Sequence, residues 1–191
     1  MPECNSPLGV GMYKRRIEGE KMTASSQISK MSMASLARLE PIHVFMMSSG
    51  CDDPPASMCG DSSIMIDGFE ISPKSRGHNV VVVDQEGSVI EAKAFDTFGD
   101  SSSGTNMANF ITSLPDHTVV LIATQDSADV YVGDAADALK SLGATEPLNP
   151  GYRGSWLLVG YKGTGEKPSW VRQASKKRYF GPASVAVKVF E

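Results

Sequence analysis

Four consecutive valines, Val80–Val83, constrain this chain more than any other stretch. β-Branched side chains lose rotamer freedom in a helix and pack well on a pleated surface, so such a run belongs in a strand. Gly77 precedes it and Gln85, Glu86 and Gly87 supply turn residues after it, which bounds the strand at His78–Asp84 and predicts a hairpin. The return strand is expected over Ser88–Phe95, where Val89, Glu91 and Lys93 would face one way and Ile90, Ala92 and Ala94 the other, a half-buried alternation.

The period then changes. Met107, Phe110, Ile111 and Leu114 recur at helical spacing, so Asn106–Leu114 is expected to be an amphipathic helix. A second helix is expected over Asp134–Leu142, with Asp134 as cap, Ala135, Leu139 and Leu142 inward, and Gly143 as stop. Further strands are expected at Ile42–Met46, Ser62–Asp67, Thr118–Thr124, Ser155–Tyr161 and Val185–Phe190. Strands interleaved with helices imply a mixed sheet covered by helices, an α/β or α+β fold.

The 191 residues suit one domain, expected over residues 41–191. Residues 1–40 carry five of the ten methionines and no sustained period, and read as a poorly ordered leader. The longest apolar runs, Val80–Val83 and Val119–Ala123, fall far short of the roughly twenty residues that a membrane-spanning helix needs. The opening Met-Pro-Glu-Cys-Asn is not the start of a signal peptide. Basic and acidic residues number 6 and 4 in residues 1–50, 4 and 16 in 51–150, and 8 and 2 in 151–191. An acidic middle that packed on the basic end would be attracted to it, although solvated faces are the plainer account. The short run Lys176, Lys177, Arg178 lacks the spread of a nucleic-acid footprint, and no nucleic-acid partner is expected.

His43, His78 and His117 each lie at or beside a strand start, where a structural role is the common case. The chain holds no nucleophile elbow, phosphate loop or zinc-protease motif, so it offers no anchor for catalysis. A concealed acid pair such as Asp96 and Asp126 is the enzymatic alternative. Loop carboxylates group at Asp52, Asp53 and Asp61, at Asp96 and Asp100, and at Asp126, Asp129 and Asp134, without a calcium-loop pattern. No cofactor is called for, with calcium the alternative left open. Cys51 and Cys59 could close a local disulfide or stay as two buried thiols, and Cys4 is left over. The loop Asn149–Trp156 combines Tyr152, Arg153 and Trp156, side chains of the kind that bind sugars, or else Trp156 is core and Arg153 an ion-pair partner.

The blocks Gly77–Val83, Glu91–Phe98, Ala123–Asp126, Ala138–Gly143, Gly151–Trp156 and Val159–Gly163, in that order, resemble the interleukin-like EMT inducer and pancreatic-derived-factor-like domain. The likeness runs from about Ile42 to about Lys162. It implies a compact β-β-α sandwich of two antiparallel sheets flanked by short helices, in secreted or lumenal proteins. Some members are cytokine-like. A related domain forms the sugar-binding stem of the protein O-linked mannose N-acetylglucosaminyltransferase. By that likeness Asp126 and Arg153 fall on glycan-contacting positions, Tyr152 stands where the stem has Trp, and Gly154 replaces an acidic residue. Only Cys59 sits where the family has a cysteine, and the extracellular setting together with proximity leads to the expected Cys51–Cys59 pairing.

Cys4–Val10 and Met22–Gln27 resemble the opening of a discoidin domain, too little of it to fold, so the chain is expected to be a fragment or misassembled product of a larger extracellular protein. The expected function is a noncatalytic extracellular or lumenal carbohydrate-binding module, with glycans or glycoproteins as partners and Asp126, Tyr152, Arg153 and Trp156 lining or supporting the pocket. The alternative is a cytokine-like ligand of a cell-surface receptor. Arg153→Ala separates the two, since only sugar binding should be lost.

Overall fold

A strand with apolar residues on both faces must be covered on both, and this requirement organises the molecule. In the computed structural model, which describes residues 40–54 and 59–191, nine strands and two short helices follow one another. They are β1 (Ile42–Gly50), β2 (Asp61–Ile66), β3 (Phe69–Glu70), β4 (Gly77–Val83), β5 (Val89–Phe95), α1 (Ser103–Ser113) and β6 (Thr118–Asp126). There follow a 3-10 turn (Val132–Ala135), α2 (Ala136–Ser141), β7 (Ser155–Lys162), β8 (Arg172–Lys176) and β9 (Ala183–Val189).

One arm of the sheet runs β5-β4-β6-β7-β8 and the other β3-β2-β1-β9, antiparallel throughout each. They join where β1 and β6 run parallel over two residue pairs, Ser49 with Gln125 and Gly50 with Asp126. The sheet curls there, so inward residues of both arms share one core: Val44, Met46 and Ile64 meet Val81, Leu121 and Leu157. On the other face of the first arm, Val80, Val82, Ile122, Trp156 and Leu158 pack against Met107 and Ile111 of α1 and Leu139 of α2. The four valines thus alternate between two cores and are fully buried, each contributing about 1.5–3 kcal/mol of transfer free energy.

The class is α+β, mostly strand with few short helices. The α/β alternative fails because the sheet pairs antiparallel except at the β1–β6 seam. The two separate antiparallel sheets implied by the resemblance are one curled mixed sheet for the same reason. β5 is not half-buried: only Phe95 is inside, because β5 is an edge strand whose two faces are largely left to solvent. Asp134 does not cap α2, which begins two residues later behind the 3-10 turn; its carboxylate instead accepts a hydrogen bond from the Thr105 hydroxyl at 3.1 Å. β3 and β8 were not anticipated, being two residues long and polar, respectively. The expected leader and discoidin-like segment, apart from Glu40, and Cys4 lie outside the described residues.

Candidate functional site

The strand directions decide which loops meet. β1 and β6 are parallel, so both finish at the same end of the sheet, where β7 and β9 start and β8 finishes. Main-chain pairing gives way to side chains as β1, β6 and β7 converge. The Ser48 hydroxyl donates to Thr124 O at 2.6 Å, and the Trp156 N–H donates to Ser48 Oγ at 3.1 Å and Thr124 Oγ1 at 3.0 Å. The chains approach so closely that a Cβ on Gly50 would stand 1.9 Å from the Arg153 carbonyl oxygen. Gly60, at a φ of +74°, could likewise carry no side chain against Ser49 O and Asp126 N.

Four charged side chains gather there from distant parts of the chain. Arg153 donates to both carboxylate oxygens of Asp52 at 3.0 and 3.1 Å, and Arg178 donates to the same carboxylate at 2.6 Å. Burial opposes ionisation of Asp52, yet the hydrogen bonds from the two guanidiniums overcome it and hold the carboxyl below its ordinary value. Burial pushes Asp126 the other way, above its ordinary value, against the Ser127 hydroxyl, Arg153 and Arg76. Asp126 Oδ1 stands 4.0 Å from Arg153 Nε, beyond hydrogen-bond reach, and that buried Nε–H has no partner among the described residues. Asp126 and Arg153 also both hold positive φ, 59° and 55°, a region that non-glycine residues enter at a cost.

Arg178 lies between two rings, 5.3 Å from the centroid of Tyr152 and 4.6 Å from that of Tyr179, while Arg153 stacks on Tyr152 at 5.1 Å. Tyr152, Tyr179 and Phe180 are exposed. Of the expected site residues, the fold therefore brings Asp126, Tyr152 and Arg153 together. Trp156 is fully buried in the helix-side core, where its indole N–H donates to Pro147 O at 3.1 Å, so it supports the loop from beneath and offers no face to a ligand.

Cys51 and Cys59 form a disulfide. Their sulfurs lie near the Asp126 carboxylate, but sulfurs bonded to each other supply no thiolate for a metal. The other loop carboxylates are not simply solvated. Asp53 accepts from Gly50 N at 2.8 Å and Gly181 N at 3.0 Å, Asp61 pairs with Lys74, and Asp96 pairs with Arg76 at 2.7 Å. Asp100 accepts from Ser102 N and from the hydroxyls of Ser102 and Ser103. Asp52 and Arg178 escaped the sequence reading. Their signal was the opposition between an acidic middle and a basic end, since the Asp52 pairs and Asp126–Arg153 cross that divide.

Residues 76–164 match the protein family described as Interleukin-like EMT inducer. The chain carries an interleukin-like EMT inducer domain. It is 25% identical over 197 residues to human protein FAM3B, covering 96% of this chain and 83% of that one. To mouse protein FAM3D it is 32% identical over 139 residues, 69% of this chain and 60% of the relative. To the mouse cell migration-inducing and hyaluronan-binding protein it is 27% identical over 125 residues, 64% of this chain and 9% of that protein. The discoidin likeness finds no support in these matches. Asp126, Tyr152 and Arg153 lie inside the matched residues of the domain, whereas Asp52 and Arg178 lie outside them. No helix among the described residues is long and apolar enough to cross a membrane.

Proposed function

We propose that this chain is a secreted, cytokine-like, noncatalytic ligand that engages a protein receptor through the surface where Tyr152 of its interleukin-like EMT inducer domain meets Arg178 and Tyr179. The observation that carries the reading is an exposed stack of two tyrosines around an arginine that Asp52 already holds in place. Tyr and Arg dominate the energetically important positions of protein interfaces, and a side chain ordered before binding loses less entropy on contact. Phe180, 74% exposed beside them, adds an apolar anchor with no partner in the core. The similarity to FAM3B and FAM3D supports an extracellular setting.

A second reading, carbohydrate binding at Asp126, Tyr152 and Arg153 with Trp156 supporting their loop from beneath, has one observation in its favour. The unused Arg153 Nε–H and the half-buried Asp126 carboxylate lie beside the Tyr152 ring, which would suit a sugar's hydroxyls and C–H face. One similar protein is named for hyaluronan binding. One experiment separates the readings: labelled full-length chain is titrated onto cells pretreated with trypsin or with glycosidases, and onto immobilised glycans with and without calcium. The receptor reading expects saturable, trypsin-sensitive binding that Phe180→Ala weakens by about tenfold or more and Arg153→Ala leaves unchanged. Glycosidase-sensitive binding, lost in Arg153→Ala and reproduced on a defined glycan set, would replace it with the carbohydrate reading.

A further inference from the structure

Basic residues stand side by side at two places in the sequence, Lys14–Arg16 and Lys176–Arg178, and the second falls in the turn between β8 and β9. The β8 ladder ends where Lys176 pairs with Ser155, and the β9 ladder begins where Ala183 pairs with Ser48. Residues 177–182 between them hold no ladder pair among the described residues. Lys177, Tyr179 and Phe180 are exposed, and the Arg178 side chain is 37% exposed.

An endoprotease takes its substrate as an extended strand, so it needs a stretch that can leave its neighbours at small cost. Few bonds hold this one. The Phe180 N–H donates to Lys177 O at 2.9 Å, the Gly181 N–H to Asp53 Oδ1 at 3.0 Å and the Arg178 guanidinium to Asp52 at 2.6 Å. Tyr179 sits at a φ of +71°, a conformation that opening the turn relieves. Other basic residues are worse placed: Lys93, Arg172 and Lys188 lie on paired strands, Lys140 lies in α2, and Asp96 grips Arg76 through two nitrogens.

We propose that Lys177–Arg178 is a processing site, at which an endoprotease specific for paired basic residues hydrolyses the Arg178–Tyr179 bond. One water adds across that bond, leaving a carboxylate on Arg178 and an amine on Tyr179. Asp52 is the latch, because the Arg178 guanidinium must exchange its carboxylate for the acidic pocket of the protease. The piece Tyr179–Glu191 stays seated after the cut, since β9 pairs with β1 from Ala183 to Val189 and both of those residues are buried. On the receptor reading above, parting Arg178 from Tyr179 dismantles the binding surface; the cut itself does not depend on that reading.

The full chain is incubated under native conditions with a calcium-dependent, subtilisin-like convertase that requires paired basic residues, and the products are read by denaturing mass spectrometry. Cuts at Lys14–Arg16 are scored separately. The expected product is the peptide Tyr179–Glu191, absent with Arg178→Gln and formed at least about threefold faster with Asp52→Asn, since cleavage tracks the population of the open turn. Near-ultraviolet circular dichroism confirms that each variant folds, and a free peptide of residues 173–182 reports the chemistry of the bond without the fold. A chain that stays whole while the free peptide is cut overturns the proposal, as does a free peptide that resists the enzyme. So does a first cut elsewhere in residues 40–191, or an Asp52→Asn chain cut no faster than the wild type.

Discussion

The middle of β6 and its end, a few residues apart, are held by different physics. From Val119 to Ala123 every side chain is fully buried between two apolar cores, and the forces there are non-directional and scale with area. At Gln125 and Asp126 the strand emerges among charges, and stability rests on single atoms at set distances, Arg153 and Arg178 on one carboxylate of Asp52. These partners are separated from Asp52 by 101 and 126 residues in sequence. The middle makes the fold, and the end presents exposed rings and paired charges at the surface. Removing a piece of the middle should therefore cost global stability, and removing a piece of the end should cost recognition first.

The largest effect should come from Trp156, which spans the contrast: its ring is in the core while its N–H joins the Ser48–Thr124 network. Trp156→Ala should lose about 3–5 kcal/mol, read as a lowered urea midpoint, and Trp156→Phe clearly less. Equal, small losses from both would mean that the helix-side core does not depend on this ring.

His78 is the polar intruder in the middle. It is fully buried, its Nδ1 lies 2.7 Å from the Thr97 hydroxyl, and burial alone pushes its pKa down to about 3. The folded state thus binds this proton less readily than the unfolded chain, whose histidine titrates near 6.5. Stability from the neutral ring is fully present above that value and is lost as pH falls from 6.5 towards 3. At pH 4 the loss should be about 3 kcal/mol. A pH series of urea midpoints should be steep across that window for the wild-type chain and flatter for His78→Gln; parallel profiles would show that His78 does not set the acid limb.

Legibility in the sequence follows the same divide. The valine run, the helical spacing of Met107 and Ile111 and the strand Thr118–Thr124 were readable because burial on a face imprints a period. β5 misled for the complementary reason: its alternation is real, but an edge strand has no second layer to bury either set. Asp134 misled because a carboxylate before a helix can find a nearer donor, here Thr105, than the backbone. At the loop end, Asp126, Tyr152 and Arg153 were singled out by loop chemistry and by likeness, and the fold brings these three together. Asp52 and Arg178 were not singled out, because an ion pair between residues so far apart leaves no period. Only the opposed charge of the middle and the C-terminal end hinted at it.

The disulfide tests whether the loop end is ordered independently of the core. Closing a loop of 8 residues should contribute about 2.5 kcal/mol through the unfolded chain. Cys51→Ala with Cys59→Ala should lower the denaturation midpoint by that order and leave the fold spectroscopically unchanged. Loss of the native near-ultraviolet signal in that variant would instead make the bridge a condition of the whole fold.

Asp52→Asn should have the smallest effect on stability and the sharpest on the surface. The amide keeps the shape and removes the charge that Arg153 and Arg178 share, so the Tyr152–Arg178–Tyr179 stack loses its anchor while both cores keep every contact. Because the folded carboxyl lies below its ordinary value of 3.8, its contribution is present above that pH and disappears as pH falls beneath it. Wild-type and Asp52→Asn melting temperatures should accordingly differ slightly at neutral pH, converge in acid, and draw together in high salt as the exposed charges are screened. Receptor binding should weaken in Asp52→Asn by more than its stability does, since a loosened arginine must be ordered again on contact. If binding persists unchanged while the melting temperature falls, the charged end belongs to the scaffold and the recognition surface lies elsewhere on the molecule.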